Sequence, residues 1–584
     1  MEGLITSPAD TALHPAPNFH PRIWGRLWPL LLLLVLLVGV WLLLLARGLD
    51  LGFTGDLLDY AYHYERLGVS GGMQWLLTKH LQRHLFAGLF PAPLAYFFPR
   101  ESAVWYAMAF AVHYAAAVMS FMLADAVLKG KLRWVSFSAA LIFAFHTLHL
   151  RMNFEFPTIY MGTAALFLAL LSLWLYLQYV RRGRCNRWWI ECSIAAYSFA
   201  VGLYEQTVLF FALHPIIAFF ESRYRGEQVT LGRFLKRALA DSFWFPVFVV
   251  VYLYLLRALF IGNGTLSFNP AYIAGQVAAG LMAEFAPVPF LERLLAGFTA
   301  MPLAGLIAAV ALAILLVWWI NHELRALTHK EGDAFGGSSL VYLVVLGGGI
   351  SIVSIVGVAP TSWPPLENPR MIYPSAVGFG FVVAGLLGLL HVQPLGRLFA
   401  AMTIAVLVAA GFSGLLSIQS EYIRQQAARQ AVLNAIQSVI SQVSTDPLPY
   451  LLLVSDAHPS NDLWLYAQDN RFPYTFDLMY DVTGMPVDAL YMDVDPADAP
   501  PPDVPGSRYQ GKFIVVEEEG IYSPLRPAEP IDPSRLVIIE YDSTSQTARI
   551  LDELPEDVLA RANIVERVPI EWKTNHSLVI PVDN

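Results

Sequence analysis

The chain has 584 residues, 56% of them hydrophobic and only 14% charged, with a mean hydropathy of +0.51. Soluble globular chains carry about a quarter charged residues, so this composition excludes an ordinary soluble protein. The net charge of −9 divides unevenly: residues 446–583 hold 25 acidic and 9 basic side chains, a net of −16 that argues against a nucleic-acid partner, while the rest of the chain is net +7.

Residues 1–20 are polar and contain Pro8, Pro15 and Pro17. The apolar run 27–45 is long for the core of a signal peptide and predicts a retained first membrane helix. Further apolar runs predict eleven spans in all: 24–46, 102–125, 134–150, 157–180, 188–204, 207–221, 242–261, 299–320, 338–358, 372–390 and 398–417. The stretch 188–221 is 34 residues, too long for one simple span. The polar triplet Tyr204-Glu205-Gln206 in its middle predicts a tight hairpin, with one long tilted or broken helix as the alternative.

Basic residues cluster in alternate loops: Arg22 and Arg26; Lys129, Lys131 and Arg133; Arg181, Arg182, Arg184 and Arg187; Arg223, Arg225, Arg233, Lys236 and Arg237; Arg325 and Lys330. The excess of Lys and Arg marks these loops as cytoplasmic. The N-terminal tail 1–23 is then cytoplasmic and the C-terminal domain extracytoplasmic, in a plasma membrane expected to be the bacterial inner membrane. Cys185 and Cys192 lie by one of the basic loops, where a disulfide framework is not expected.

The outer side receives loops 47–101, 151–156, 262–298 and 359–371. Amphipathic stretches such as 73–90 suit a helix lying on the membrane surface. Loop 262–298 reads as partly helical over 271–285, ended by Pro287 and Pro289. Residues 418–448 read as a linker helix followed by a break, and 449–584 as a small acidic α/β domain. Its strand candidates are 450–454, 489–494, 512–516 and 535–541, with 543–550 closing a hairpin and a helix at 461–469.

Asp56 and Asp59 follow the first span and share one side of a helix if that segment is helical. Such a pair can hold a divalent cation, act as a general base, or merely cap a helix in water. His63, His80, Arg83 and His84 form a basic cluster that can meet a lipid phosphate or serve as ordinary interfacial anchors. Glu205 sits at the hairpin tip, where water would offset the cost of a carboxylate in an apolar setting. Glu155 falls in a short outer turn, and Arg370 on the rim of a late span can clamp a phosphate or anchor the interface. His113, His146 and His149 lie in or near spans and read as buried, helix-bridging histidines. Asp456 and His458 decorate a loop after the first strand of the tail. No phosphate-cradling glycine loop, nucleophile elbow or zinc motif is present, which argues against an ATP-driven pump.

Taken together, these segments resemble the GT-C type of polytopic glycosyltransferases that use lipid-linked sugars, in particular the O-mannosyltransferase-like group. The resemblance covers about residues 24–440 and rests on the order of segments. Asp56 matches the family's acid in the first outer loop. Where the family has an adjacent acidic pair, Asp59 stands three residues away. Gln82-Arg83-His84-Leu85 through His113 resembles the loop leading into a histidine-bearing span, and 161–176 the small-residue span. The family's Lys-Glu pair is here Tyr204-Glu205. The late conserved loop is Glu367-Asn368-Pro369-Arg370-Met371-Ile372-Tyr373-Pro374-Ser375. The resemblance implies inverting transfer of a sugar from a polyprenyl-phosphate donor to an extracytoplasmic protein or glycan acceptor. It implies Asp56 as base, with Asp59 and Glu205 as further catalytic acids, and Arg370, Arg83 and His84 on the lipid phosphate. A divalent metal ion at Asp56 and Asp59 is the cofactor it admits, and membrane lipid and a protein partner for the acidic domain are the further partners. The changed acidic pair and the missing Lys favour the alternative, a catalytically inactive GT-C-like scaffold. A transporter or flippase would more often show internal repeats, which this chain lacks.

Overall fold

The structure, a computed structural model, describes the chain outside residues 1–19, 52–55, 76–90 apart from Phe86, 151–160 apart from Phe154, most of 228–242, 252–268, 329–336, 361–371, 391–392, 456–485, 491–512, 561–563, 581–584 and a few single positions. Its helices in chain order are α1 (His20–Arg47), α2 (Asp56–Trp75), α3 (Ala92–Phe97), α4 (Ser102–Val127), α5 (Arg133–Ala144), α6 (Thr163–Arg181), α7 (Trp188–Leu203), α8 (His214–Tyr224), α9 (Pro270–Phe285), α10 (Pro287–Ala300), α11 (Pro302–Thr328), α12 (Gly337–Val358), α13 (Ser375–Leu389) and α14 (Pro394–Ile440). Six of these regions are long and apolar enough to cross a membrane: Leu27–Arg47, α4, α6, Pro302–Glu323, α12 and α14. The protein is therefore an integral membrane protein built on a polytopic all-α domain.

Eleven straight spans are not what the described residues form. The predicted span 134–150 stops being α-helical at Ala144. The stretch 188–221 is not one helix: Tyr204 is extended (φ −158, ψ 125), and two 3₁₀ turns, Glu205–Thr207 and Phe210–Leu213, precede α8. Of the predicted span 242–261, residues 244–251 are helical and the remainder lies outside the described residues. The expected outer loop 262–298 differs most. Pro287 does end α9, but it also opens α10, because a proline costs a helix nothing at a first-turn position whose N–H has no partner anyway. The two helices meet at a 43° bend and are together apolar and long enough to form a broken span or a re-entrant pair. Proline opens α11 and α14 by the same logic.

Without water to drive them together, membrane helices associate through close packing, and small residues set how close they come. α12 and α13 show this directly. A Cβ on Gly378 would sit 2.3 Å from Ser351 Oγ and 2.4 Å from Gly347 O, and one on Gly347 would sit 2.6 Å from Phe381 Cβ. On the other side of α13, a Cβ on Gly380 would lie 2.6 Å from Ala139 O of α5. Three helices thus meet nearly backbone to backbone. After Arg133, α5 carries no charge and only two polar side chains, the small Ser136 and Ser138, as suits a helix enclosed on all sides, and every residue from Trp134 to Ala144 is buried.

α14 has 47 residues, which at the α-helical rise is about 70 Å, more than twice the thickness of a bilayer core. Its first half packs in the bundle. Where it leaves, Gln419 donates to Leu44 O and Gly48 O at 2.8 Å each and accepts from Arg47 Nε at 3.1 Å, tying it to the end of α1. Its far end enters the C-terminal part. There Val432, Ile436 and Val439 pack on Leu451 and Leu453 of β1 (Tyr450–Ser455) and Val537 and Ile539 of β6 (Leu536–Asp542).

The C-terminal part is β-rich, and its described residues form two four-stranded sheets. In the first, β1 runs parallel to both β2 (Val487–Ala489) and β6, and β7 (Thr547–Leu551) is antiparallel to β6. In the second, the order is β5 (Arg526–Ile531), β4 (Gly520–Ser523), β3 (Ile514–Glu517), β8 (Ile564–Glu566). Because side chains alternate along a strand, the odd positions Leu451 and Leu453 face α14 while Tyr450, Leu452 and Val454 face the second sheet. Four of the expected strand regions, 450–454, 512–516, 535–541 and 543–550, hold strands; of 489–494 only Ala489 is in a strand, as the end of β2, and 491–494 lie outside the described residues; β4, β5 and β8 are additional. The acidic turn after β3 places Glu518 and Glu519 in solvent, with Gly520 at φ 137. The expected helix 461–469, Asp456 and His458 lie outside the described residues.

Gly378→Ala should lower the thermal unfolding temperature of the purified protein in detergent, at an overpacking cost of about 1–3 kcal/mol. Gly348→Ala, on the same helix as Gly347 but with nothing within 4 Å of its Cβ position, should stay within about 0.5 kcal/mol of the parent. Equal melting of the two variants would contradict the glycine contact.

Candidate functional site

The last turn of α5 ends inside the bundle. Phe145 closes the helix with its N–H on Leu141 O at 3.0 Å, and its carbonyl is so close to α14 that a Cβ on Gly411 would come within 1.7 Å of it. A helix end in an apolar interior leaves carbonyls that water cannot reach. One of them, Ala144 O, is met by His113 Nε2 of α4 at 3.0 Å. A carbonyl can only accept, so this bond fixes the proton of His113 on Nε2 and leaves Nδ1 as an acceptor. Nδ1 takes the hydroxyl of Tyr373, and Thr163 Oγ1 of α6 in turn donates to the Tyr373 oxygen at 3.4 Å.

Beyond Phe145 the backbone of His146 is extended (φ −68, ψ 119), and Thr147–His149 forms a 3₁₀ turn closed by His149 N–H on His146 O at 3.1 Å. Residues three apart eclipse in such a turn, so the two imidazoles lie on one side, with ring centroids 5.1 Å apart. Glu284, the penultimate residue of α9, meets them there. Its Oε1 is 3.2 Å from His146 Nε2 and its Oε2 is 3.6 Å from His149 Nε2. α9 can come this close because a Cβ on Gly280, one turn earlier, would already be 2.6 Å from Ile355 of α12.

The cluster is shut in. Glu284 is 0% exposed, His146 3% and His149 2% by side chain. Phe379 stands edge-on to His146 at 4.8 Å, and Tyr373 to His149 at 5.4 Å, which joins this cluster to the His113 network. Ser375 lies against the Glu284 carboxylate. Arg293 of α10 donates to Ala283 O at 2.7 Å, which fastens the bend between α9 and α10 and holds a guanidinium within electrostatic reach of Glu284 and His146. One ligand atom from each of His146, His149 and Glu284 lies within 4.8 Å of the others, so the trio can coordinate a divalent metal. It can also hold and pass a proton, since imidazole and carboxylate exchange one readily.

Asp56 is the first residue of α2 and Asp59 lies in its first turn, while Glu205 opens the 3₁₀ turn after α7; their side chains are outside what is described. Arg83, His84 and Arg370 lie outside the described residues, as do His80 and Glu155. His63 stacks on Trp75 at 3.7 Å across the non-helical Gly68 of α2. The histidines His113, His146 and His149 do bridge helices. Glu284 escaped sequence reasoning. Its signal was a single carboxylate in the apolar run Gly280-Leu281-Met282-Ala283-Glu284-Phe285, together with the His-x-x-His spacing at 146 and 149.

No family model matches the chain, and no curated protein matches it. Two crystal structures of ArnT from Cupriavidus metallidurans are similar to it at low level. For the form bound to undecaprenyl phosphate the identity is 16%, covering 78% of this chain and 89% of that one, with a TM-score of 0.32. For the apo form the identity is 18%, covering 74% and 84%, with a TM-score of 0.31. Likeness of this size carries no argument about activity.

Tyr373→Phe should destabilise the protein by about 1–3 kcal/mol, because it strands His113 Nδ1 in an apolar interior. His113→Ala combined with Tyr373→Phe should cost less than the two single changes added together, as for any pair in one hydrogen-bond network. Thermal or denaturant unfolding in detergent measures both, and strict additivity would contradict the bond.

Proposed function

We propose that this protein transfers a sugar from a polyprenyl-phosphate-linked donor to an acceptor outside the cytoplasm. One observation carries the reading. Segments far apart in sequence, each matching a different part of the GT-C pattern, converge on one side chain. His113 from the histidine-bearing span, Thr163 from the small-residue span and Tyr373 from the late loop are hydrogen-bonded together. The late loop that contains Tyr373 also carries Arg370. The segments therefore form one neighbourhood, as parts of a single site must.

On this reading the donor enters laterally from the membrane. Asp56, at the start of the helix that follows the first span, removes the proton of the acceptor hydroxyl, directly or with a metal ion shared with Asp59. The acceptor oxygen attacks the anomeric carbon from the face opposite the lipid phosphate, so the configuration inverts. Arg370, with Arg83 and His84, stabilises the phosphate as negative charge develops on it. Glu205, at the tip between α7 and α8, faces the same side as a second acid. The N-terminal tail 1–23 is cytoplasmic, 24–417 forms the GT-C-like membrane domain, 418–448 links it to the acidic domain 449–584, and that domain faces the acceptor side. The hydroxyl-bearing acceptor is a protein or a glycan.

Purified wild type and Asp56→Asn should be compared for transfer of radiolabelled sugar from mixed polyprenyl-phosphate sugars to membrane extract. The variant should lose about 10²–10⁴-fold in rate, the range for a general base, with unchanged abundance. Equal rates would remove Asp56 from the role of base. No transfer by folded wild type across the donor pool would point to the scaffold alternative.

A further inference from the structure

We infer that His146, His149 and Glu284 bind one divalent ion of the zinc class, and that this ion clasps the bent α9–α10 pair to the buried end of α5. The inference does not depend on the glycosyltransfer reading.

The distances favour an ion over direct hydrogen bonds. Charge-assisted N–H to carboxylate bonds are about 2.7–2.9 Å long and well aligned. Here the nitrogen–oxygen separations are 3.2 and 3.6 Å, and among the described residues no ring nitrogen of either histidine and no oxygen of Glu284 makes a hydrogen bond of acceptable geometry. Two ligand atoms bound to one tetrahedral zinc, at bond lengths near 2.0–2.2 Å, are about 3.3–3.4 Å apart. The two observed separations, each to a different oxygen of Glu284, bracket that value, as a carboxylate that offers both oxygens to one ion requires. One ligand atom from each of the three side chains lies within 4.8 Å of the other two, close enough for one ion to be shared among them.

The charge argues the same way. A carboxylate enclosed by aliphatic and aromatic side chains stays ionised only with a cation in contact with it. Arg293 stands within electrostatic reach of Glu284 but does not contact it: it donates to Ala283 O and forms no ion pair with Glu284 among the described residues. A divalent ion satisfies the carboxylate and both imidazoles at once. Two imidazoles and one carboxylate select zinc and its late first-row neighbours over magnesium or calcium, which prefer oxygen ligands.

The ion's role follows from where its ligands come from. His146 and His149 belong to the turn after α5, and Glu284 to the last turn of α9, so one ion joins segments well over a hundred residues apart in sequence. The side chains are at most 3% exposed and Phe379 and Tyr373 wall the rings, so the ion would be shielded from bulk water, with the second oxygen of Glu284 or a bound water completing its coordination.

The test is metal analysis of the full-length protein, purified in detergent without an affinity tag or chelator, by inductively coupled plasma mass spectrometry. Wild type should carry about one zinc-class ion per chain. Glu284→Gln and His149→Gln should lower that content at least about 10-fold, because each removes a ligand from a three-ligand site. Asp56→Asn with Asp59→Asn should keep it. Retention of the ion in the Glu284 and His149 variants would overturn the assignment. Should the ligand variants fail to fold, wild type stripped of metal and reloaded with Co(II) still decides. A visible d–d spectrum of tetrahedral or five-coordinate Co(II), together with a higher melting temperature than the stripped protein, is expected. Absence of both would mean that the cluster is a metal-free proton-sharing trio.

Discussion

A helix that ends inside a membrane bundle creates an obligation, and much of this structure answers it. α5 is enclosed by α4, α13 and α14, and its last carbonyls and the two histidines that follow are cut off from water. Each polar group there needs a partner supplied by the protein itself. His113 serves Ala144 O, Tyr373 serves His113, and Thr163 serves Tyr373. Glu284 reaches the remaining pair from the bent α9–α10 segment. The chain of contacts therefore links α4, α5, α6, α9 and the approach to α13 through polar atoms, in a region where dispersion alone would leave the helices free to slide.

Glycine makes this enclosure possible. Gly347 and Gly378 let α12 and α13 touch, Gly380 lets α13 touch α5, and Gly411 and Gly297 let α14 approach Phe145 and α10 respectively. Removing side chains at these points shortens the distances over which the polar atoms must reach. α14 then carries the order of the bundle outward. Bolted to α1 through Gln419 and Arg47, it delivers Val432, Ile436 and Val439 to the first C-terminal sheet, which is buried on both faces because α14 covers one and the second sheet covers the other.

Two kinds of ionisable side chain follow from this plan. Asp56 and Glu205 stand at the starts of helical segments, next to breaks in the apolar pattern. His146, His149 and Glu284 stand deep in the packing, positions suited to holding something in place. The His113–Tyr373–Thr163 network lies between the late loop and the buried trio and touches both, through Tyr373. An interior clasp that fixes Tyr373 would also fix the loop that precedes it, which on the proposed reading carries the phosphate-binding Arg370.

The sequence by itself determined that the protein is polytopic, that its tail is acidic and rich in strands, and where the first, second, fourth, eighth, ninth and last predicted spans lie. Those properties depend on apolar runs longer than a bilayer is thick and on alternation along strands, both of which are local. The strand β4 was not legible because it is short, β5 because Pro527 and Pro530 interrupt it, and β8 because it is short and its partner β3 lies far away in the sequence. The break of α5 at Ala144 and the helical pair in 270–300 were not legible either, because apolar content is the same for a straight span, a broken one and a buried loop. The buried trio was the least legible of all. Its histidines were visible as helix-bridging candidates, but Glu284 comes from a segment read as an outer loop, and no local pattern says that it folds back to them. Only the tertiary structure decides that, because the pairing is set by which glycines let which helices meet.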